Sequence, residues 1–157
     1  MGRVIIIMGS KADMSWAERI KSCLQGFDIP VVMRIASAHK VPMRCFEIIK
    51  EYDDQEVVFI TIAGRSNALS GFVDAQTHCP VIACPPYSDT FAGVDVFSSL
   101  RMPSGVAPLI VLEPEAAALA AAKILGLSNP EIQKKVIAYQ AESKEKILRD
   151  DEELLNG

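Results

Sequence analysis

The chain has 157 residues, half of them hydrophobic and 23% charged, which fits a single domain over 1–157 and excludes a disordered chain. Net charge is −4 and the isoelectric point about 5.2, so bulk charge offers nothing to a nucleic-acid backbone or an anionic membrane. Mean hydropathy is +0.21 although no apolar run reaches the ~20 residues that span a bilayer, so the chain is expected to bury more surface than one small domain easily can.

Met1-Gly2-Arg3 leads into Val4–Met8, a run too short for the apolar region of a signal peptide, and a myristoylation motif would need Ser or Thr at its sixth position. A cytoplasmic location is therefore expected. There Cys23, Cys45, Cys79 and Cys84 are read as reduced, mostly buried thiols; His78-Cys79 with Cys84 is the one cluster near a metal-ligand pattern, and no metal is expected.

Val4–Met8 reads as a strand covered on both faces. From Asp13 a helix is predicted, with Trp16, Ile20 and Leu24 on one face and Gly26 at its end. Val31–Ala36 is the second strand and Pro42–Tyr52 the second helix, with proline in the first turn. Val57–Ala63 is the third strand, followed by a small-residue helix over Ser66–Thr77. Val81–Cys84 is a short fourth strand, stopped by Pro85-Pro86. Residues 87–105 read as irregular or briefly helical, Val106–Leu112 as a fifth strand and Pro114–Leu125 as a helix. Ser128-Asn129-Pro130-Glu131 has capping-box spacing and opens a last helix reaching about Leu155. At 1.5 Å per residue that helix is ~40 Å long, so part of it is expected to pack on a neighbouring subunit. The small side chains of Ala116–Ala122 are read as a second surface for close subunit packing.

Strands alternating with helices at this spacing predict a three-layer α/β/α sandwich around a five-stranded parallel, flavodoxin-like sheet. Ligands of such sheets bind beyond the carboxyl ends of the strands, which singles out the residues after Met8, Ala36, Ala63 and Cys84. Gly9-Ser10-Lys11-Ala12-Asp13 lacks the glycine pattern of a dinucleotide or P-loop site, yet a Gly-Ser turn feeding a helix suits a phosphate monoester. Asp13 has two readings, a helix cap or an acceptor for sugar hydroxyls. In Ser37-Ala38-His39-Lys40 the histidine can give and take a proton near neutral pH, and Lys40 can pair with a phosphate. In Ala63-Gly64-Arg65-Ser66, Gly64 lets backbone approach a ligand and Ser66 opens a helix. Together these turns point to a small phosphorylated substrate and acid–base chemistry without a cofactor.

The same segments, with Cys84-Pro85-Pro86, Ser98-Ser99-Leu100-Arg101 and Pro103-Ser104-Gly105, resemble the phosphoribosylaminoimidazole carboxylase family of de novo purine synthesis over essentially the whole chain. The family has a mutase branch, which moves a carboxyl group from the exocyclic nitrogen of carboxyaminoimidazole ribonucleotide to the ring carbon. Its other branch carboxylates aminoimidazole ribonucleotide directly with CO2. The mutase branch typically has Arg after the histidine and a Gly-Gly turn with a further histidine after the third strand; Lys40 and Gly64-Arg65-Ser66-Asn67 are similar to the direct branch. Ala12 departs from the Ser of many relatives.

The resemblance implies a carboxy-lyase, His39 as general acid/base, and Ser10 and Lys40 on the phosphate with Asp13 on the ribose. It also implies that Ser37, Ala63, Gly64 and Ser66 line the base and CO2 pocket, and that the assembly is a homo-octamer. The alternatives are the mutase on the same fold and, more distantly, a non-catalytic phosphometabolite-binding or receiver-like module. A receiver would need an acidic cluster at the strand ends, where this chain has Ala63-Gly64-Arg65.

Overall fold

Alternation along β1 (Arg3–Met8) decides the layering. Val4, Ile6 and Met8 face one core and Ile5 and Ile7 the other, all at most 1% exposed. The computed structural model describes residues 2–156. Its sheet has the order β2-β1-β3-β4-β5, with every pair parallel. The other strands are β2 (Val31–Ile35), β3 (Val57–Ile62), β4 (Val81–Ala83) and β5 (Leu109–Ile110). β3 repeats the alternation, Val58, Ile60 and Ile62 to one side and Val57 and Phe59 to the other. A continuous apolar strand is what a sheet covered on both faces requires.

On one face lie α1 (Met14–Gly26), α4 (Pro114–Leu125) and the start of α5 (Pro130–Asn156). On the other lie α2 (Pro42–Lys50) and α3 (Leu69–Ala75). This is the three-layer α/β/α sandwich expected from the strand–helix alternation, with the long C-terminal helix in place.

Several boundaries and roles differ from the sequence reading. The fifth strand is two residues long rather than Val106–Leu112, because Pro108 has no N–H for the ladder and the Ala107 N–H donates to Asp74 Oδ2 at 2.7 Å. The third helix starts at Leu69, not Ser66; Asn67 Oδ1 accepts the Ser70 N–H at 3.2 Å and does the capping. The last helix is capped by Asn129, whose Oδ1 accepts from the N–H groups of Glu131 (3.0 Å) and Ile132 (3.3 Å), while the Ser128 hydroxyl bonds Glu56 and the Leu125 carbonyl. Ala117, Ala118, Ala121 and Ala122 are fully buried in the chain's own core, where α4 packs on α1, so the small-residue face of α4 is not a free surface for another subunit. The helix after β1 is preceded by a 3-10 turn over Lys11–Asp13, so Asp13 lies in that turn and α1 proper begins at Met14.

Candidate active site

The order β2-β1-β3 places the topological switch point between β1 and β3, where neighbouring crossovers leave on opposite faces and a crevice opens. A cavity of about 770 Å³ lies there. All eight residues singled out from the sequence line it: Ser10, Asp13, Ser37, His39, Lys40, Ala63, Gly64 and Ser66. They arrive on three separate turns, after β1, β2 and β3.

The first turn is fixed by its own side chains. The Ser10 hydroxyl accepts the Ala12 N–H at 3.2 Å, and Asp13 Oδ2 accepts from the Ser10 N–H at 3.0 Å and hydroxyl at 3.3 Å. This reciprocal capping box opens a 3-10 turn rather than the α-helix itself. Asp13 caps this turn and also lines the cavity. Burial pushes its carboxyl above the usual range, and the Ser10 bonds and the Arg65 charge work against that shift.

The second turn carries the histidine. The Ser37 carbonyl accepts the Val41 N–H at 2.9 Å and the Ser37 hydroxyl accepts the Lys40 N–H at 3.3 Å. These bonds close residues 37–41 into a turn that presents His39 and Lys40, both exposed, at the cavity. Ser37 thus shapes the turn as well as lining the pocket.

The third turn departs most from expectation. Gly64 does not take a left-handed conformation; Arg65 does, with φ of 62°. A side chain held there costs roughly 1–2 kcal/mol, and such a residue persists only where its surroundings fix it. Those surroundings come from a segment over Thr90–Ser99, itself kinked through positive φ at Phe91, Ala92 and Gly93. Ser98 Oγ lies 3.2 Å from the Arg65 carbonyl, which it can donate to, and accepts the Asn67 N–H at 2.9 Å.

Arg65, Leu69, Pro86, Tyr87, Ser88 and Thr90 also line the cavity, and the sequence reading gave none of them a role in the site. The Pro85-Pro86 stop after β4 was the available signal, since it places the next residues at the strand's carboxyl end. Tyr87 meets the only tryptophan, Trp16, edge-to-face at 5.4 Å. The thiols lie apart from this chemistry. Burial pushes Cys45 and Cys84 up to about 11, so both are protonated near neutral pH. β4 separates His78-Cys79 from Cys84.

Comparison with known proteins gives one answer over nearly the full length. A family model described as AIR carboxylase matches residues 3–146. A phosphoribosylaminoimidazole carboxylase of Archaeoglobus fulgidus is 59% identical over 152 residues, 97% of this chain and 84% of the relative. One from Treponema denticola is 52% identical over 153 residues, 96% of each chain. The crystal structure of Treponema denticola PurE superposes with a TM-score of 0.96 at 51% identity, covering 98% of this chain and 99% of that one.

Proposed function

The chain belongs to the AIR carboxylase family of purine biosynthesis, and on that premise we propose that it carboxylates aminoimidazole ribonucleotide directly with CO2, reversibly, as a carboxy-lyase. One observation carries the reading. The imidazole of His39 lines the same cavity as the Gly9–Asp13 turn and the Ala63–Ser66 turn. Lys40 after the histidine and Arg65-Ser66-Asn67 after Gly64 favour the direct reaction over the mutase.

The substrate's ring is enamine-like, so its carbon attacks CO2 with its own electron pair. The new carbon–carbon bond forms while one C=O pair moves onto oxygen. The adduct still carries a proton on the ring carbon, and the His39 imidazole removes it, returning the pair to the aromatic ring. In reverse the imidazolium protonates that carbon and CO2 leaves. Ser10 and Lys40, on neighbouring turns, hold the phosphate, Lys40 through a charge-assisted bond and Ser10 through its hydroxyl. Asp13 holds the ribose hydroxyls. Ser37, Ala63, Gly64 and Ser66 enclose the base and CO2, which carries no charge to grip and depends on a shaped, dry wall.

The same reading includes a homo-octamer with α5 lying on a neighbouring copy. Every residue from Ala141 to Asn156 is exposed, among them Ile147, Leu148, Leu154 and Leu155.

The test is an assay of the purified protein without ATP. Aminoimidazole ribonucleotide plus CO2 is expected to give the carboxylated product. Turnover of only the nitrogen-carboxylated nucleotide would establish the mutase instead.

A further inference from the structure

We propose that Ser98 and Ser99, acting through Asn67, are positioning residues that hold the Gly64–Ser66 turn in the shape the carboxylation pocket requires; this rests on the carboxylase reading above.

Neither serine lines the cavity. Both reach the turn that does, from more than thirty residues along the chain. The Ser98 Oγ accepts the Asn67 N–H at 2.9 Å and lies within donating distance of the Arg65 carbonyl (3.2 Å) and the Asp95 carbonyl (2.8 Å). When its single proton is given to Arg65 rather than to Asp95, this hydroxyl spans the two peptide groups flanking Ser66. Ser99, 1% exposed, accepts from Asn67 Nδ2 at 2.9 Å. Asn67, 5% exposed, turns its Oδ1 to the Ser70 N–H and so fixes the start of α3.

Asn67 is thus held by three partners, which brace the turn before it. That turn includes the left-handed Arg65, which relaxes once its surroundings release it. The strap that carries the serines, residues 88–107, is anchored along α3. The Met102 side chain packs over the backbone of Gly71, where a Cβ would come within 2.9 Å of its Sδ, and the Ala107 N–H bonds Asp74. The strap's other end supplies Ser88 and Thr90 to the cavity wall. One segment thus both forms part of the wall and clamps the opposite turn. The phosphate-side turns at Ser10 and Lys40 carry their own internal bonds and do not depend on it.

This division predicts a split in kinetic constants. Ser98→Ala is expected to raise KM for CO2 about tenfold and lower kcat several-fold. KM for aminoimidazole ribonucleotide, set chiefly at the phosphate, should stay within twofold. Ser98→Thr, which keeps the hydroxyl, should recover most of the loss. A merely structural role would lower the melting temperature and the active fraction while leaving both KM values as in the wild type, and that outcome overturns the proposal. So does a Ser98→Ala enzyme indistinguishable from wild type. If Ser98→Ala fails to give the wild-type circular-dichroism spectrum, Ser98→Cys, of similar size and a poor acceptor, carries the same test. The wild type in the same assay separates the two ideas: an inactive wild type sinks the carboxylase reading, whereas an active wild type without the KM split in the variant sinks the clamp alone.

Discussion

At the scale of the residue, His39 and Lys40 are adjacent on one turn and have separable tasks. His39→Asn removes the proton carrier and leaves the turn's backbone bonds from Ser37 intact. Its kcat should fall by roughly 10²–10⁴-fold with substrate binding preserved. Binding can be followed by Trp16 fluorescence, since that ring rests on Tyr87 of the cavity wall. A His39→Asn enzyme at near wild-type rate would remove the histidine from the reaction. Lys40→Ala should raise KM for the nucleotide about tenfold with a smaller change in kcat, a fold-change equal to about 1.4 kcal/mol of lost charge-assisted bonding. Asp13 offers a pH test. Its folded carboxyl is raised by burial, so ionisation opposes folding: the favourable contribution is complete below the unfolded carboxyl range and is lost as pH rises through the folded value. Asp13→Asn is therefore expected to melt at or above the wild-type temperature at pH 7. The gap should narrow on acidification, while KM for the nucleotide rises. A variant that melts well below wild type at pH 7 would mean that the Ser10 bonds outweigh the burial of charge.

At the scale of the element, the core helices separate packing from surface charge. α4 meets α1 through fully buried alanines, and Arg19 grips Glu115 across the same helix pair with bonds of 2.9 and 3.0 Å. The ion pair is about half exposed on both sides, so Glu115→Gln should cost under ~1 kcal/mol. Ala121→Leu must force extra atoms into a filled seam and should cost about 1–3 kcal/mol. Urea midpoints compared at one protein concentration distinguish the two. The same elements show what pattern could and could not reveal. β1, β3 and α4 were legible because continuous apolar runs and an N-terminal proline are local signals. The caps were misassigned twice in the same way. In Ser66-Asn67 and Ser128-Asn129 both residues are good caps, and the choice between them is made by distant partners: Ser98 and Ser99 fix Asn67 in the first case, and Glu56 takes the Ser128 hydroxyl in the second. The site turns were legible because strand carboxyl ends are predictable from topology. The left-handed Arg65 was hidden because a neighbouring glycine would ordinarily take that conformation.

At the scale of the whole molecule, the excess hydropathy has two destinations. One is the sheet, whose inner strands are buried on both faces. The other is surface that this chain alone leaves open. Ile147 and Leu148 are exposed at 69% and 63%, and Leu154 and Leu155 follow seven residues later, at 83% and 79%, on the same side of α5. Ile132 and Val136 are the buried residues of this helix, so its last turns stand beyond the core they began on. Fully covering those four side chains would contribute on the order of 6–12 kcal/mol per chain, as an upper bound. That is enough to hold copies together through several weak contacts, and exposed apolar surface of this kind marks an association site. On the octamer proposed above, the 157-residue chain is expected to sediment as eight copies. Deleting residues 141–157 should shift it to smaller species, with a loss of helical circular dichroism matching only the removed turns. An untruncated chain that sediments as a stable, active monomer would refute the assembly and leave the apolar end of α5 without a partner. A truncated chain still sedimenting as an octamer would move the interface from α5 to other exposed apolar surface, such as the segment with Phe91, Val94, Phe97 and Leu100.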